Sequence, residues 1–386
     1  MMSDQEKTQA SEQARNDERQ NSLSGPSSTW GTELIAATCE QCDWGFLLPP
    51  EAADTVCPHC FQGKLNAIGE AFDALPYIHP PELIVPFSVT PDGIAGNLHD
   101  FSRSIPFAPK DLRAENLQGR LQRIFIPMWL VDVDVRASWQ SEVGFDYDVI
   151  SFRDEFADRQ GGWSEQRVTE TRIRWEPRVG NLARTYPNTP APALEEHAEL
   201  VSKLGTHALD SAQSYSASSI QDAYARLPNR APEDAWPDAM PVLRSLAAEE
   251  CQQAGEAEYR RDFRWSPEYS NQHWTQVLLP IYTTHYFDDD KQPQLVLIHG
   301  QTGKIHGARR ASIQRARNAS LLMFGLASAL GIPSLLASVL PILPNEFRSL
   351  AGCPLVLSFL LGILSILPIA VAWQFNRRRR IENRHP

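Results

Sequence analysis

ASLLMFGLASALGIPSLLASVLPIL, residues 319–343, runs without a charged side chain, and after a ten-residue gap a second uncharged run, PLVLSFLLGILSILPIAVAW, fills residues 354–373. A helix rises about 1.5 Å per residue, so roughly 20 apolar residues cross the hydrocarbon core of a bilayer. Both runs meet that length. They read as transmembrane helices 319–343 and 354–373, joined by a loop whose only charges are Glu346 and Arg348. Two core helices of a large globular protein are the competing reading, but such helices seldom run this long uncharged between basic clusters. Gly325 and Ala329 in the first run, and Gly362 and Ser365 in the second, permit close helix packing. Pro333, Pro341 and Pro368 are expected to kink or shorten the spans.

The flanks set the orientation, because Lys and Arg near a span stay on the cytoplasmic side. Lys304, Arg309, Arg310, Arg315 and Arg317 precede the first run, while Arg377, Arg378, Arg379, Arg380 and Arg384 follow the second. Both termini are therefore expected in the cytoplasm, in a protein of the bacterial inner membrane with a basic cytosolic tail, 374–386. No apolar segment of signal-peptide type follows Met1, so targeting is expected from the hairpin itself.

Charge divides the chain in the same place. Residues 303–386 hold 11 Lys or Arg against two acids, so the preceding residues carry about −20 within a total of −11. The basic collars are attracted to an anionic leaflet and are expected to touch lipid, while the acidic body is expected to stand off it. The same negative charge opposes binding to a phosphate backbone, so no nucleic-acid partner is expected.

Residues 1–30 are polar and lack apolar material to offset the entropy of ordering, and they read as disordered. Within 31–65 stand Cys39-Glu-Gln-Cys42 and, after fourteen residues, Cys57-Pro-His-Cys60. Two Cys-x-x-Cys knuckles at that separation are the pattern of a zinc ribbon, with Cys39, Cys42, Cys57 and Cys60 as ligands of one structural Zn2+. Cys57-Pro-His-Cys60 alone is also the motif of an oxidising thioredoxin-like site, but the upstream pair and the Phe61-Gln-Gly-Lys64 that follows oppose a strand-to-helix setting. His59 reads as a surface residue, Cys251 as a small packing residue, and Cys353 has no partner in sequence.

The remaining 66–316 reads as a cytosolic α+β body with antiparallel strands. Leu83–Val89 is expected as a strand, with Thr90 capping and Pro91 opening a short helix that carries Ile94, Leu98 and Phe101. Arg123–Trp139 alternates as a strand, placing Asp132 and Asp134 together on its wetter face. Residues 141–192 are polar and broken, with a strand candidate at Gln166–Trp175. Helical spacing is read from Ala193 to Leu227 and from Asp238 to Ala254, and a hairpin joins Val277–Tyr282 to Leu295–His299. Phe125-Ile-Pro-Met-Trp129 and Leu278-Leu-Pro-Ile-Tyr282 resemble one another, and their prolines suit edge strands or bulges. Gly300-Gln-Thr-Gly-Lys304 lacks P-loop spacing and reads as a tight turn with both glycines at positive φ. His273, His285, His299 and His306 gather around this hairpin in sequence without the spacing of ligand pairs.

The cysteine knuckles, Val85-Pro86-Phe87, Ile126-Pro-Met-Trp-Leu130, Leu279-Pro280 and Gly300-Gln-Thr-Gly-Lys-Ile-His-Gly307 occur in an order that resembles bacterial membrane proteins with a transcription-factor-IIB-type zinc ribbon. Some of those relatives are labelled primosomal helicases, yet this chain has no helicase motor motifs. His299 stands where that family usually has Asn, and Tyr282 where it often has Trp. The resemblance implies partners of phage-shock or flotillin-like type at the membrane, and it implies no catalytic residues. The expectation is thus a membrane-anchored zinc-ribbon adaptor or scaffold, not an enzyme. A membrane-tethered nucleic-acid-binding ribbon is the alternative. An enzyme would need Asp132, Asp134, His285 and Lys304 brought together.

Overall fold

A computed structural model describes residues 30–68, 79–157, 162–339 and 352–382 of the 386-residue chain. The segment expected to be disordered lies outside the described residues except for Trp30. So do the inter-helix loop 340–351, with Pro341, and residues 383–386 of the basic tail.

The first strands and helices are β1 (Ile35–Cys39), β2 (Gly45–Leu48), β3 (Leu65–Ala67), β4 (Leu83–Ile84), α1 (Ala95–Arg103), α2 (Ala114–Gly119), β5 (Gln122–Ala157) and β6 (Gly162–Pro192). There follow α3 (His197–Leu204), β7 (Gln213–Ser214), β8 (Tyr224–Arg226), α4 (Pro232–Ala254), β9 (Tyr259–Phe287), β10 (Pro293–His299) and β11 (Ile305–Gly307). Three helices close the chain: α5 (Ile313–Val339), α6 (Gly352–Leu364) and α7 (Leu367–Glu382). The architecture is mixed α/β. The chain forms two compact units, one of Met1–Pro127, Glu196–Leu227 and Leu278–Pro386, the other of Met128–Glu195 and Pro228–Val277. Strands of 31–65 and of 66–316 share one sheet.

In the first unit the sheet order is β11-β10-β9-β5-β8-β2-β1-β3. β1 pairs antiparallel with β2 and β3, and β10 does so with β9 and β11, whereas β5 and β8 run parallel through Ile124↔Tyr224 and Phe125↔Ala225. Leu83–Val89 is strand only at Leu83–Ile84. Beyond that, Val85 N–H donates to Leu278 O, and the Ser88 and Val89 N–H groups both donate to Gly300 O. Thr90 Oγ1 accepts from Gly93 N–H at 3.2 Å, a capped turn that leads into α1 with Leu98 and Phe101 buried. Of the two glycines expected at positive φ, only Gly303 has it, at +69°. Gly300 is required for a different reason: a Cβ there would meet Pro280 O at 2.6 Å. Pro280 itself lies just past Ile281↔His299, the last β9–β10 pair, so its missing N–H costs the ladder nothing there.

The expected helix over Ala193–Leu227 is confined to α3. Gly205, at φ +95°, ends it, and Ser-rich 3-10 turns at Leu209–Ser211 and Ala217–Ser219 follow. Ser and Asp compete with the helix for backbone hydrogen bonds, which is why apolar spacing misleads there. Ile220 and Ala223 are nonetheless buried, in a cluster with Trp30, Leu47, Phe125 and Leu278.

α5 and the segment Cys353–Arg378 are long and apolar enough to cross a membrane. Only 11% and 17% of their most apolar windows is buried, unlike core helices. Pro333 sits inside an unbroken α5, whereas a turn at Ser365–Ile366 interrupts the second segment just before Pro368. At their inner ends these helices are built into the core: Ala316, Ala372 and Phe375 pack with Ile94, Leu98, Phe101, Tyr282 and Tyr286. Asn376 clamps the entry to α5, its Oδ1 accepting from Ala311 N–H at 2.8 Å and its Nδ2 donating to Ala311 O at 3.0 Å. Ser312 Oγ accepts from Arg315 N–H, and Asp289 accepts from Gln314 N–H and Ser312 Oγ, a cap with an acid at the positive helix end. The acidic body and the basic collar are joined here. Asp288 pairs with Arg310 at 3.1 Å because opposite charges are brought together at the start of the helix.

The second unit is built from β5, β6, β9 and α4. β5 and β6 pair antiparallel from Met128↔Pro192 to Ala157↔Gly162, through the region 141–192 that reads as polar and broken in sequence, and the strand candidate Gln166–Trp175 falls inside β6. α4 buries Ala235, Ala239, Leu243, Ala247 and Cys251, a stripe at every fourth residue whose small side chains allow close approach to the sheet. It starts six residues before the expected Asp238, at Pro232 in the first turn, where the missing N–H is harmless. Gly144 admits Ile173, Trp175 and Tyr259, since a Cβ there would meet Ile173 Cγ2 at 2.7 Å.

Candidate metal centre

Two turns of the same construction carry the four cysteines. β1 ends at Cys39, whose O accepts from Asp43 N–H at 3.1 Å. Cys57 O accepts from Phe61 N–H at 3.0 Å. The residue after each knuckle has left-handed φ, +58° at Asp43 and +55° at Phe61, a conformation that costs a β-carbon-bearing residue about 1 kcal/mol. For Phe61 that cost is offset by stacking on His285, ring centroids 4.1 Å apart. The turns aim their backbone at sulfur: Gln41 N–H donates to Cys39 Sγ, His59 N–H to Cys57 Sγ and Gly63 N–H to Cys60 Sγ, each at 3.4 Å.

Across the turns, Cys39 Sγ lies 3.5 Å from Cys60 Sγ and Cys42 Sγ 3.8 Å from Cys57 Sγ, and all four donor atoms fall within 4.8 Å of one another. Four metal–sulfur bonds of about 2.3 Å in a tetrahedron place sulfurs about 3.8 Å apart. The set therefore fits a single metal ion with four protein ligands. Burial pushes the Cys39 thiol up. The Cys42 thiol is pushed far above its ordinary range, first by its hydrogen bond with Cys57 and then by burial. A divalent cation among the sulfurs reverses that preference, so binding would release protons.

The centre is seated in the sheet of its own unit. β2 pairs with β8 through Phe46↔Arg226 and Leu47↔Ala225. Arg226, 5% exposed, donates to Gly45 O at 3.1 Å, lies over the Trp44 ring at 4.7 Å and stands 3.6 Å from Glu196. His59, read as a surface residue, is half-buried. Its ring stacks flat on Trp44, centroids 3.5 Å apart, and burial lowers its pKa to about 4. The imidazole face covers the indole, which is worth more than exposure of a neutral ring. On the other side, Thr283 Oγ1 of β9 donates to Pro58 O at 2.7 Å. Three residues on, Tyr286 O–H donates to Ala308 O in the linker to α5. One strand thus touches both the second knuckle and the root of the first apolar helix. Trp44, Arg226, Thr283 and Gly63 have no signature in sequence, because their roles arise from distant segments.

Among the described residues the cysteines are the one cluster of His, Cys, Asp or Glu donors spaced to hold a metal. Asp132 sits at a register shift and accepts from Asn188 N–H at 2.7 Å. Asp134 accepts from Thr185 and Asn271, which hold its carboxyl below the usual range. Both oxygens serve the sheet of the second unit, whereas His285 and Lys304 belong to the first. His299 stacks on His207 at 3.9 Å, and His273 is exposed. His299 Nδ1 accepts from Gln301 N–H, so the histidine locks the Gly300–Lys304 turn. Cys251 is buried in the α4 stripe, its thiol pushed up to about 11 by burial. No protein-family model, curated protein or solved structure matches the chain, and the resemblance to ribbon-bearing membrane proteins is carried by its motifs alone.

Proposed function

We propose that the chain is a membrane-anchored adaptor. Cys39, Cys42, Cys57 and Cys60 hold one structural Zn2+ in a ribbon. The apolar helices fix the chain as a two-span hairpin in a bacterial inner membrane with both termini cytoplasmic, and the acidic body recruits or localises partner proteins there. The observation that carries this reading is the double attachment of β9, to the second knuckle through Thr283 and to the root of α5 through Tyr286, within one unit. Soft thiolates at tetrahedral spacing suit zinc, and four of them leave no position open for water or substrate, which favours a structural role over catalysis. The negative body suits a partner with a basic surface, and the resemblance points to phage-shock-type or flotillin-like proteins. Its charge opposes a nucleic-acid ligand.

The test is a crosslinking pull-down from membranes, comparing the full-length chain with a Cys57→Ser, Cys60→Ser variant. The adaptor reading expects specific protein partners in the first and their loss or weakening in the second. Recovery of no protein above a hairpin-only control would refute it.

A further inference from the structure

The outer part of the β5–β6 ribbon lacks a third strand. β9 begins at Tyr259, whose O–H donates to Asp146. Past that point, from Tyr147↔Arg172 to Ala157↔Gly162, β5 and β6 pair only with each other among the described residues. A two-stranded ribbon is marginal in water, and this one exposes Tyr147, Ile150 and Phe152 at 44, 48 and 62%. β6 is also a sheet edge along its length, with β5 as its one neighbour. From Trp163 to Glu176 it contains no proline to interrupt a ladder, and its six charges, Glu165, Arg167, Glu170, Arg172, Arg174 and Glu176, are of both signs, so they repel a mismatched edge but suit a complementary one.

We propose that this edge of β6 pairs with the same edge of a second copy of the chain, antiparallel about a two-fold axis through Thr171. The charge pattern selects the occupant and the register. With Thr171 opposite itself, Glu170 faces Arg172 of the other copy and Arg172 faces Glu170, Gln166 faces Glu176, Arg167 faces Trp175 and Thr169 faces Ile173. No like charges meet. Moving the axis to residue 170 or 172 sets Glu170 or Arg172 against itself, and moving it to 173 sets Arg172 against Arg174 and Glu170 against Glu176. Within one copy Glu170 and Arg172 already lie 3.2 Å apart on the same face, so the pairs of two copies form one ladder.

The test uses the full-length chain in membranes, with two differently tagged copies co-expressed. Glu170→Arg and Arg172→Glu each create like-charge contacts with themselves but complementary ones with each other. The mixed pair should co-purify about tenfold better than either variant with itself. Equal recovery of all three combinations, or none of any, overturns the proposal. Thr171→Cys reads the register in an otherwise native chain. Paired residues have Cα atoms about 4.5–5.5 Å apart, within disulfide reach, while Ile173 and its copy would be four residues out of register. Oxidation should crosslink Thr171→Cys and not Ile173→Cys. Crosslinking of both, of neither, or of the ribbon to a different protein in place of its own copy contradicts it.

Discussion

A methyl group at Gly63 is the sharpest perturbation the metal centre allows. Gly63→Ala would put a Cβ 2.7 Å from Cys39 Sγ and from Gln41 Cβ, and 3.1 Å from Gln41 N. Comfortable contact begins near 3.5 Å, so something must move by close to 1 Å. Neither neighbour yields easily: Cys39 is the last residue of β1, and Gln41 is fixed inside the knuckle by its N–H bond to Cys39 Sγ. Metal–ligand distances tolerate about 0.2 Å. Gly63 is not among the residues at positive φ, and its N–H bond to Cys60 Sγ survives the change, so the added carbon acts alone. Overpacking costs about 1–3 kcal/mol, and if it falls on the bound state it lowers metal affinity about 5- to 150-fold. Competition with a chelator at neutral pH on the full-length protein in detergent measures this. Gly96→Ala in α1, where a Cβ meets nothing within 4 Å, is the control and should leave affinity unchanged. A Gly63→Ala protein that keeps its metal as tightly as the Gly96→Ala protein would refute the packing argument.

Asn376→Ala removes two hydrogen bonds to Ala311 and should destabilise the root of α5 by about 1–3 kcal/mol, read as faster amide exchange over residues 308–312 while β10 is unchanged. Burial lowers His207 and His285 to about 4, so the unfolded chain, with histidines near 6.5, binds more protons than the folded one as pH falls. Stability should therefore be full above about pH 6.5 and decline towards pH 4. A His207→Phe variant should show a flatter fall in unfolding temperature over that window, and an unchanged slope would contradict the assignment. Gly300→Ala forces Pro280 O away and should lower the unfolding temperature measurably, whereas Gly119→Ala, facing open space, should not.

The parts legible in sequence were those written in local spacing. The knuckles are read from four cysteines, the candidate spans from length and lack of charge, and the Gly300–Lys304 turn from its glycines. The strand candidates Arg123–Trp139 and Gln166–Trp175 fall inside β5 and β6, but the full length of the ribbon escaped because alternation reports a face buried against something. Past Tyr147 both faces are largely exposed, and Val149, Ile150 and Phe152 fall on both of them, so no single buried face is written there. α3 to β8 misled for the opposite reason: Leu200 and Leu204 are buried from α3, but Ile220 and Ala223 reach buried positions from the turns after it, not from one continuous helix. The setting of the metal centre was equally hidden, since His59 on Trp44, Arg226 over Trp44 and Thr283 on Pro58 depend on strands far apart in the chain. The clamp of Asn376 on Ala311 joins residues 65 apart, a distance no periodicity can express.

X-ray absorption at the metal edge of the purified full-length protein tests the central claim most directly. A closed structural centre requires zinc as the absorbing metal, about one ion per chain, and a single shell of four sulfurs near 2.3 Å, abolished by Cys42→Ser. A nitrogen or oxygen ligand in the shell, or fewer than four sulfurs, would mean an open site and contradict the account of a zinc-braced adaptor.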